Sequence, residues 1–108
     1  LLFSQEHPII TATIDGNGHW NKNENGEKIS YTFSNYSQNG IRKIHWYIDN
    51  VVKYHRTMGT IITTLAKAGF FIGELAEPTP KEWALEKLPT IKKEFLKPNF
   101  LIVKAIKL

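Results

Sequence analysis

YHRTMGTIITTLAKAGF, residues 54–70, is the stretch whose reading decides the fold. Met58, Ile61, Ile62, Leu65 and Ala66 recur at i, i+3, i+4, i+7 and i+8, which puts one apolar stripe on a helix. Gly69 suits the left-handed residue just past a helix end. The spacing predicts a helix over 54–69. Phe70 to Ala76 then reads as a strand, and Pro78 and Pro80 end it. A helix stopped by glycine and delivered straight into a strand is a segment of an α/β sheet.

Working toward the C-terminus, Thr79-Pro80-Lys81-Glu82 has the form of a capping box with proline at the first helical position. A helix over 80–88 is expected, stopping before Pro89, and a second short one over 90–96, stopping before Pro98. FLIVKAI, residues 100–106, is apolar enough for a strand covered on both faces. Toward the N-terminus, residues 41–48 alternate and put Ile44 and Trp46 on one face. Ile29, Tyr31 and Phe33 alternate with Ser30, Thr32 and Ser34. The turn pair Asn39-Gly40 would join these two runs into a hairpin. Residues 15–28, with Gly16, Gly18, Gly26 and four Asn, read as a loop. Residues 9–14 are β-rich. Pro8 keeps His7 out of a helix and is expected to end the regular structure there. Leu1 to Ser4 reads as a strand. The chain thus divides into a strand and turn (1–8), a β-rich insertion (9–53) and a helix–strand–helix–strand part (54–108).

The 108 residues allow one small domain or part of a larger one. The chain starts on Leu1 and opens directly on the apolar run Leu1-Leu2-Phe3, so a piece of a longer protein is expected. Without cysteine there is no disulfide scaffold and no thiolate metal site, and a cytoplasmic protein is the default. No apolar run approaches the roughly 20 residues of a membrane span. The net charge of +4 is carried by the last 28 residues. There Lys92, Lys93 and Lys97 alternate with Glu86 and Glu94, a solvated surface rather than a phosphate-binding one. None of His7, His19, His45 and His55 has a second ligand at metal-site spacing, so no metal is expected.

Three segments carry a resemblance. Phe3-Ser4-Gln5-Glu6-His7-Pro8 looks like the end of the fifth strand of class I S-adenosylmethionine-dependent methyltransferases, of the bacterial small-molecule type. Tyr54-His55-Arg56-Thr57, opening a helix that ends Ala68-Gly69-Phe70, looks like their last long helix. Glu77-Pro78-x-Pro80 with the late Pro98-x-Phe100-Leu101 strand looks like their final strand pair. The chain as a whole resembles their C-terminal half. The resemblance implies an α/β fold: the C-terminal part of a Rossmann-like sheet, with three strands, one long helix, two short helices and a β-rich cap. It also implies that the last strand lies antiparallel between the other two. S-adenosylmethionine would be the cofactor of the parent protein and a small molecule the methyl acceptor. The glycine-rich turn and the acid that hold the cofactor in this family have no match here. Gly16-Asn17-Gly18 is no substitute, because Asn21 stands where a third glycine belongs. The 108 residues alone are therefore expected to bind no cofactor and to be inactive.

The resemblance and the strand-end position together make His7 a substrate-binding candidate, since open α/β sheets place ligands past the C-terminal ends of their strands. The alternative is that His7 caps the turn beside Pro8. His55 and Arg56 are candidates at a helix start, where free N–H groups favour an anion and Arg56 adds a forked donor. The alternative is an N-cap at Thr57 and a surface arginine. Tyr36 and Trp46, with Tyr31, Phe33 and Tyr47, would line the cap over an acceptor or else form the hairpin's own core. No catalytic residue is assigned. A second reading is a non-catalytic α+β module binding nucleic acid or protein. Tyr31 and Phe33 lack the basic flanks that an RNA-reading sheet needs, which argues against it. Leu1 to Phe3, an open strand edge with apolar surface, is expected to support self-association.

Overall fold

In this computed structural model, residues 1–14, 18–46, 48–88 and 95–108 are described, with the backbone alone for 44–46 and 48–50. The elements run β1 (Leu2–Glu6), α1 (Pro8–Thr11), β2 (His19–Lys22), β3 (Lys28–Thr32), β4 (Gly40–Trp46), β5 (Ile48–His55), α2 (Met58–Lys67), β6 (Phe70–Ala76), α3 (Glu82–Lys87) and β7 (Phe100–Lys107).

The main sheet has the order β1-β7-β6, with β7 antiparallel to both neighbours. This is the order expected for the final strand. β1 and β6 therefore run parallel, and both end at the edge where β7 begins: Glu6 pairs with Phe100 and Ala76 with Ile102. The core sits on one face of β7. Leu101, Val103 and Ala105 are buried there against Ile61, with Phe3, Met58, Ile62, Leu65, Phe70 and Ile72 packed around them. Four of the five stripe residues of α2 reach this core, while Ala66 is exposed. The opposite face of β7 corrects an expectation. Phe100, Lys104 and Ile106 are exposed, so FLIVKAI is a strand covered on one face, not two. A shallow cavity of about 620 Å³ lies on that side, partly lined by Leu1, Leu2, Ile102 and Ile106.

Helix α2 is shorter than its spacing suggests. Its N-cap is Thr57, whose hydroxyl accepts from the Thr60 N–H at 3.1 Å. Tyr54 and His55 belong to β5, because Val52 and Tyr54 continue a period of two against β4. The helix ends as read, with Gly69 at φ 91°. β6 spans the residues assigned to it.

Four local expectations fail. Pro8 starts a helix instead of ending regular structure: at the first helical position its missing N–H costs nothing, and His7 Nδ1 caps the turn by accepting from Ile9 N–H at 3.2 Å. The single hairpin expected around Asn39-Gly40 is replaced by two, β2–β3 and β4–β5. Part of the expected loop is β2, which turns into β3 through Asn23 to Glu27. Asn23 Oδ1 there accepts from the N–H groups of Asn25 and Glu27, and Gly26 supplies φ 78°. The capping box at Thr79 does not form. Lys81 is extended and α3 starts at Glu82 without a side-chain cap. The second short helix, over 90–96, lies mostly outside the described residues, as does Tyr47.

Candidate functional site

The shared end of β1, β6 and β7 gathers polar side chains from distant parts of the chain. His7 follows β1 and is buried. Its Nδ1 is occupied by the Ile9 N–H, so the proton sits on Nε2 and is donated to the Glu77 carboxylate just past β6. The two residues are 70 positions apart. The His7 N–H donates to the Asn99 carbonyl at 2.9 Å, which fixes β1's exit to β7's entry. Glu77 keeps about half of its side chain exposed, 49%, so one carboxylate oxygen is oriented by His7 while the group still faces solvent. Lys97, buried, donates to Asn99 Oδ1 and lies over the rings of Trp20 (5.1 Å) and Tyr31 (4.7 Å). This contact ties the β2–β3 hairpin to the strand-end edge.

The aromatic residues of the insertion form a continuous series. Centroid distances are 5.2 Å from Trp20 to Tyr31, 6.4 Å from Tyr31 to Phe33, 6.4 Å from Phe33 to Tyr36 and 5.8 Å from Tyr36 to His55. The series ends at the start of α2, where the Met58 N–H donates to Tyr36 Oη at 2.9 Å. Trp46 lies on β4, and its side chain is outside what is described.

His55 is fully buried. Its Nε2–H donates to the Tyr36 carbonyl at 2.8 Å, and Nδ1 accepts from the Thr11 hydroxyl at 2.7 Å. Both ring nitrogens are thus engaged inside the protein, and His55 locks α1, the Tyr36 turn and β5 together. Three of the N–H groups expected to be free at the helix start are engaged. Met58 and Thr60 donate to Tyr36 and Thr57, and the Thr57 N–H to Asn39 Oδ1 at 2.9 Å.

Arg56 stands apart. Its guanidinium lies 4.3 Å over the Tyr54 ring and has no hydrogen-bond or ion-pair partner among the described residues. It borders a cleft of about 270 Å³ whose other walls are Gln5, Glu6, Thr11, Lys53 and Tyr54. Across the cleft, Lys53 Nζ donates to both Glu6 carboxylate oxygens at 2.8 Å.

Arg42, Glu77 and Lys97 emerge here without having been singled out as site residues from the sequence. Arg42 is buried and donates to the carbonyls of Ala12, Asn35 and Gln38. Only Glu77 leaves a sequence trace, an acid placed between a strand end and Pro78. Among the described residues no three His, Asp or Glu come together as metal ligands would, and no helix is long and apolar enough to cross a membrane.

The titration of Tyr31 is displaced. Burial pushes its phenol above the ordinary 10.0, outweighing the Gly18 backbone hydrogen bond that favours the phenolate. Gly18 has to be this close: a Cβ there would fall 2.5 Å from the Thr32 carbonyl oxygen. Because the folded pKa lies above the unfolded one, Tyr31's contribution to stability is complete below about pH 10 and is lost as pH rises through the folded value. Denaturant midpoints measured upward from about pH 9 should fall faster for the parent than for Tyr31→Phe. Parallel curves would mean that the phenol is not desolvated.

No family model matches the chain. It is 36% identical over 111 residues to an uncharacterized protein of Haemophilus influenzae, a match covering 99% of this chain and 41% of that protein. Among solved structures it is similar to a candidate S-adenosylmethionine-dependent methyltransferase from Listeria monocytogenes, with TM-score 0.80 and 36% identity over 99% of this chain and 47% of the other. An S-adenosylmethionine-dependent methyltransferase from Mesorhizobium loti superposes with TM-score 0.82 and 34% identity, over 96% of this chain and 46% of the other. The chain thus spans less than half the length of each of these proteins. Fold and sequence place it with S-adenosylmethionine-dependent methyltransferases, as the counterpart of their C-terminal half.

Proposed function

We propose that the chain forms the acceptor side of a methyltransferase, in a protein that moves a methyl group from S-adenosylmethionine to a small molecule. The observation that carries this reading is the convergence of His7, Glu77 and Asn99 at the end shared by β1, β6 and β7, where open α/β sheets bind ligands. S-adenosylmethionine supplies an activated methyl group. The described turns that lead from strand to helix, His7 after β1, Arg56-Thr57 after β5 and residues 77–81 after β6, contain no glycine. Gly18 leads into a strand and is packed on Tyr31. The described residues therefore do not fit the cofactor's glycine turn, and its binding is assigned to the part of the relatives that this chain does not match.

Methyl transfer is an in-line displacement, so the acceptor side has to align and dry the incoming atom. In this reading His7 holds Glu77 in one orientation, and the second carboxylate oxygen is left to accept a proton or a hydrogen bond from the acceptor. Arg56 contributes a second point of attachment. Tyr36 and His55 act by fixing the cap.

A chimera tests the reading. With this chain in place of the matching half of the Mesorhizobium loti protein, calorimetry should detect S-adenosylmethionine binding, while the 108 residues alone should bind it negligibly. Micromolar affinity in the isolated chain would sink the assignment. The uncovered outer edge of β1, with Leu1 and Leu2 exposed, supports self-association of the isolated chain. Sedimentation at rising concentration should detect a dimer or larger species, and a 12.4 kDa monomer throughout would count against it.

A further inference from the structure

We infer that the cleft between β1 and β5 binds a carboxylate carried by the acceptor, through the forked guanidinium of Arg56. The inference rests on the proposed acceptor side but is read at a distinct set of residues. Three charged groups border the cleft. Lys53 and Glu6 neutralise each other through two contacts of 2.8 Å. Arg56 is left as the one charge among them without a partner, so the cleft has a net charge of +1 from its lining residues.

An arginine with nothing to bind normally sweeps through many rotamers. Here the guanidinium carbon lies over the Tyr54 ring, 4.3 Å from its centroid, and this cation–π contact restrains the side chain. The contact leaves the guanidinium N–H groups without a hydrogen-bond acceptor among the described residues. A flat cation with such N–H groups matches a carboxylate in the two-pronged geometry that is strongest for this pair. Charge decides between oxyanions. A carboxylate, at −1, balances the cleft. A phosphate monoester near −2 would overshoot it. Gln5 and Thr11 on the remaining walls are neutral, and the Thr11 hydroxyl is already turned to His55. The volume, about 270 Å³, suits the anionic end of a small molecule rather than a polymer.

Benzoate, benzamide and phenyl phosphate serve as probes, titrated into the protein without S-adenosylmethionine. Binding is followed by the amide ¹H–¹⁵N shifts of Gln5, Tyr54 and Arg56. Benzoate should bind saturably, and neutral benzamide about tenfold or more weaker. Arg56→Gln should lose a comparable factor. Arg56→Lys should recover only part of it, since an ammonium keeps the charge without the fork. Arg56 is exposed, so both variants should melt like the parent. Equal binding of benzoate and benzamide, or full benzoate affinity in Arg56→Gln, overturns the inference. Tighter binding of phenyl phosphate than of benzoate overturns the choice of a carboxylate. Because these readings need no cofactor, failure of the chimera to bind S-adenosylmethionine leaves them standing, and their failure leaves the chimera result standing.

Discussion

Leu101→Ala should destabilise the protein by about 2–5 kcal/mol. Leu101 is fully buried near the start of β7, the central strand, and is joined in the core by Val103 and Ala105. It lies opposite Gln5 of β1, so a cavity there would lie close to the exit where His7 begins. Among the described residues the sheet has three strands, and α2 is the helix that packs on its core face. Little material can collapse into the gap. Small domains have a total of about 5–15 kcal/mol to lose, so the variant should be partly unfolded at moderate temperature. Urea denaturation followed by tryptophan fluorescence measures the loss. A midpoint within error of the parent would show that β7 is not the centre of the core.

Arg42→Ala should cost about 3–5 kcal/mol, for a different reason. Arg42 is 3% exposed and donates to three carbonyls from two loops: Ala12 after α1, and Asn35 and Gln38 before β4. Removing it leaves the buried contact at the Ala12 carbonyl and the partly buried ones at Asn35 and Gln38 without their donor and releases the loop that carries Tyr36. Arg42→Met separates the two contributions, since it keeps the aliphatic stem but none of the donors. It should recover little of the loss. If Arg42→Met melts like the parent, water serves those carbonyls and the arginine is packing alone. Loosening of the Tyr36 turn should also appear as faster amide exchange at Met58, whose N–H is held by Tyr36 Oη.

Much of the α/β part was legible because its signals are local. The apolar stripe from Met58 to Leu65, the glycine at 69 and the apolar run at 70–76 each act through neighbours within a few residues, and the structure places the helix end and β6 accordingly. The placement of β7 between β1 and β6 was not readable from any periodicity. It came from the resemblance, and the sheet order agrees with it. In the insertion, local signals pointed the wrong way. HWNK has no apolar alternation, yet it is β2, held by pairing with β3 and by Lys97 over Trp20. Asn39-Gly40 has the chemistry of a hairpin turn, but β3 pairs with β2 instead and the chain passes through the pair into β4.

The candidate site divides in the same way. By itself the sequence determined that residues 1–7 and 70–77 end in polar groups where a sheet would present them, that Arg56 stands between a strand and a helix, and that aromatic residues fill the insertion. Tertiary structure alone decided what those groups do. His55 was a substrate-binding candidate at a helix start in the sequence and is a buried lock in the fold, because Thr11 and the Tyr36 carbonyl reach its two nitrogens from 44 and 19 residues away. His7 acquired Glu77, and Lys53 acquired Glu6 while Arg56 was left unpaired. The physical reason is that a helix or strand is selected by free energies spread over adjacent residues. A hydrogen-bonding partner or an open cleft, by contrast, depends on which distant strand ends the sheet brings to the same edge.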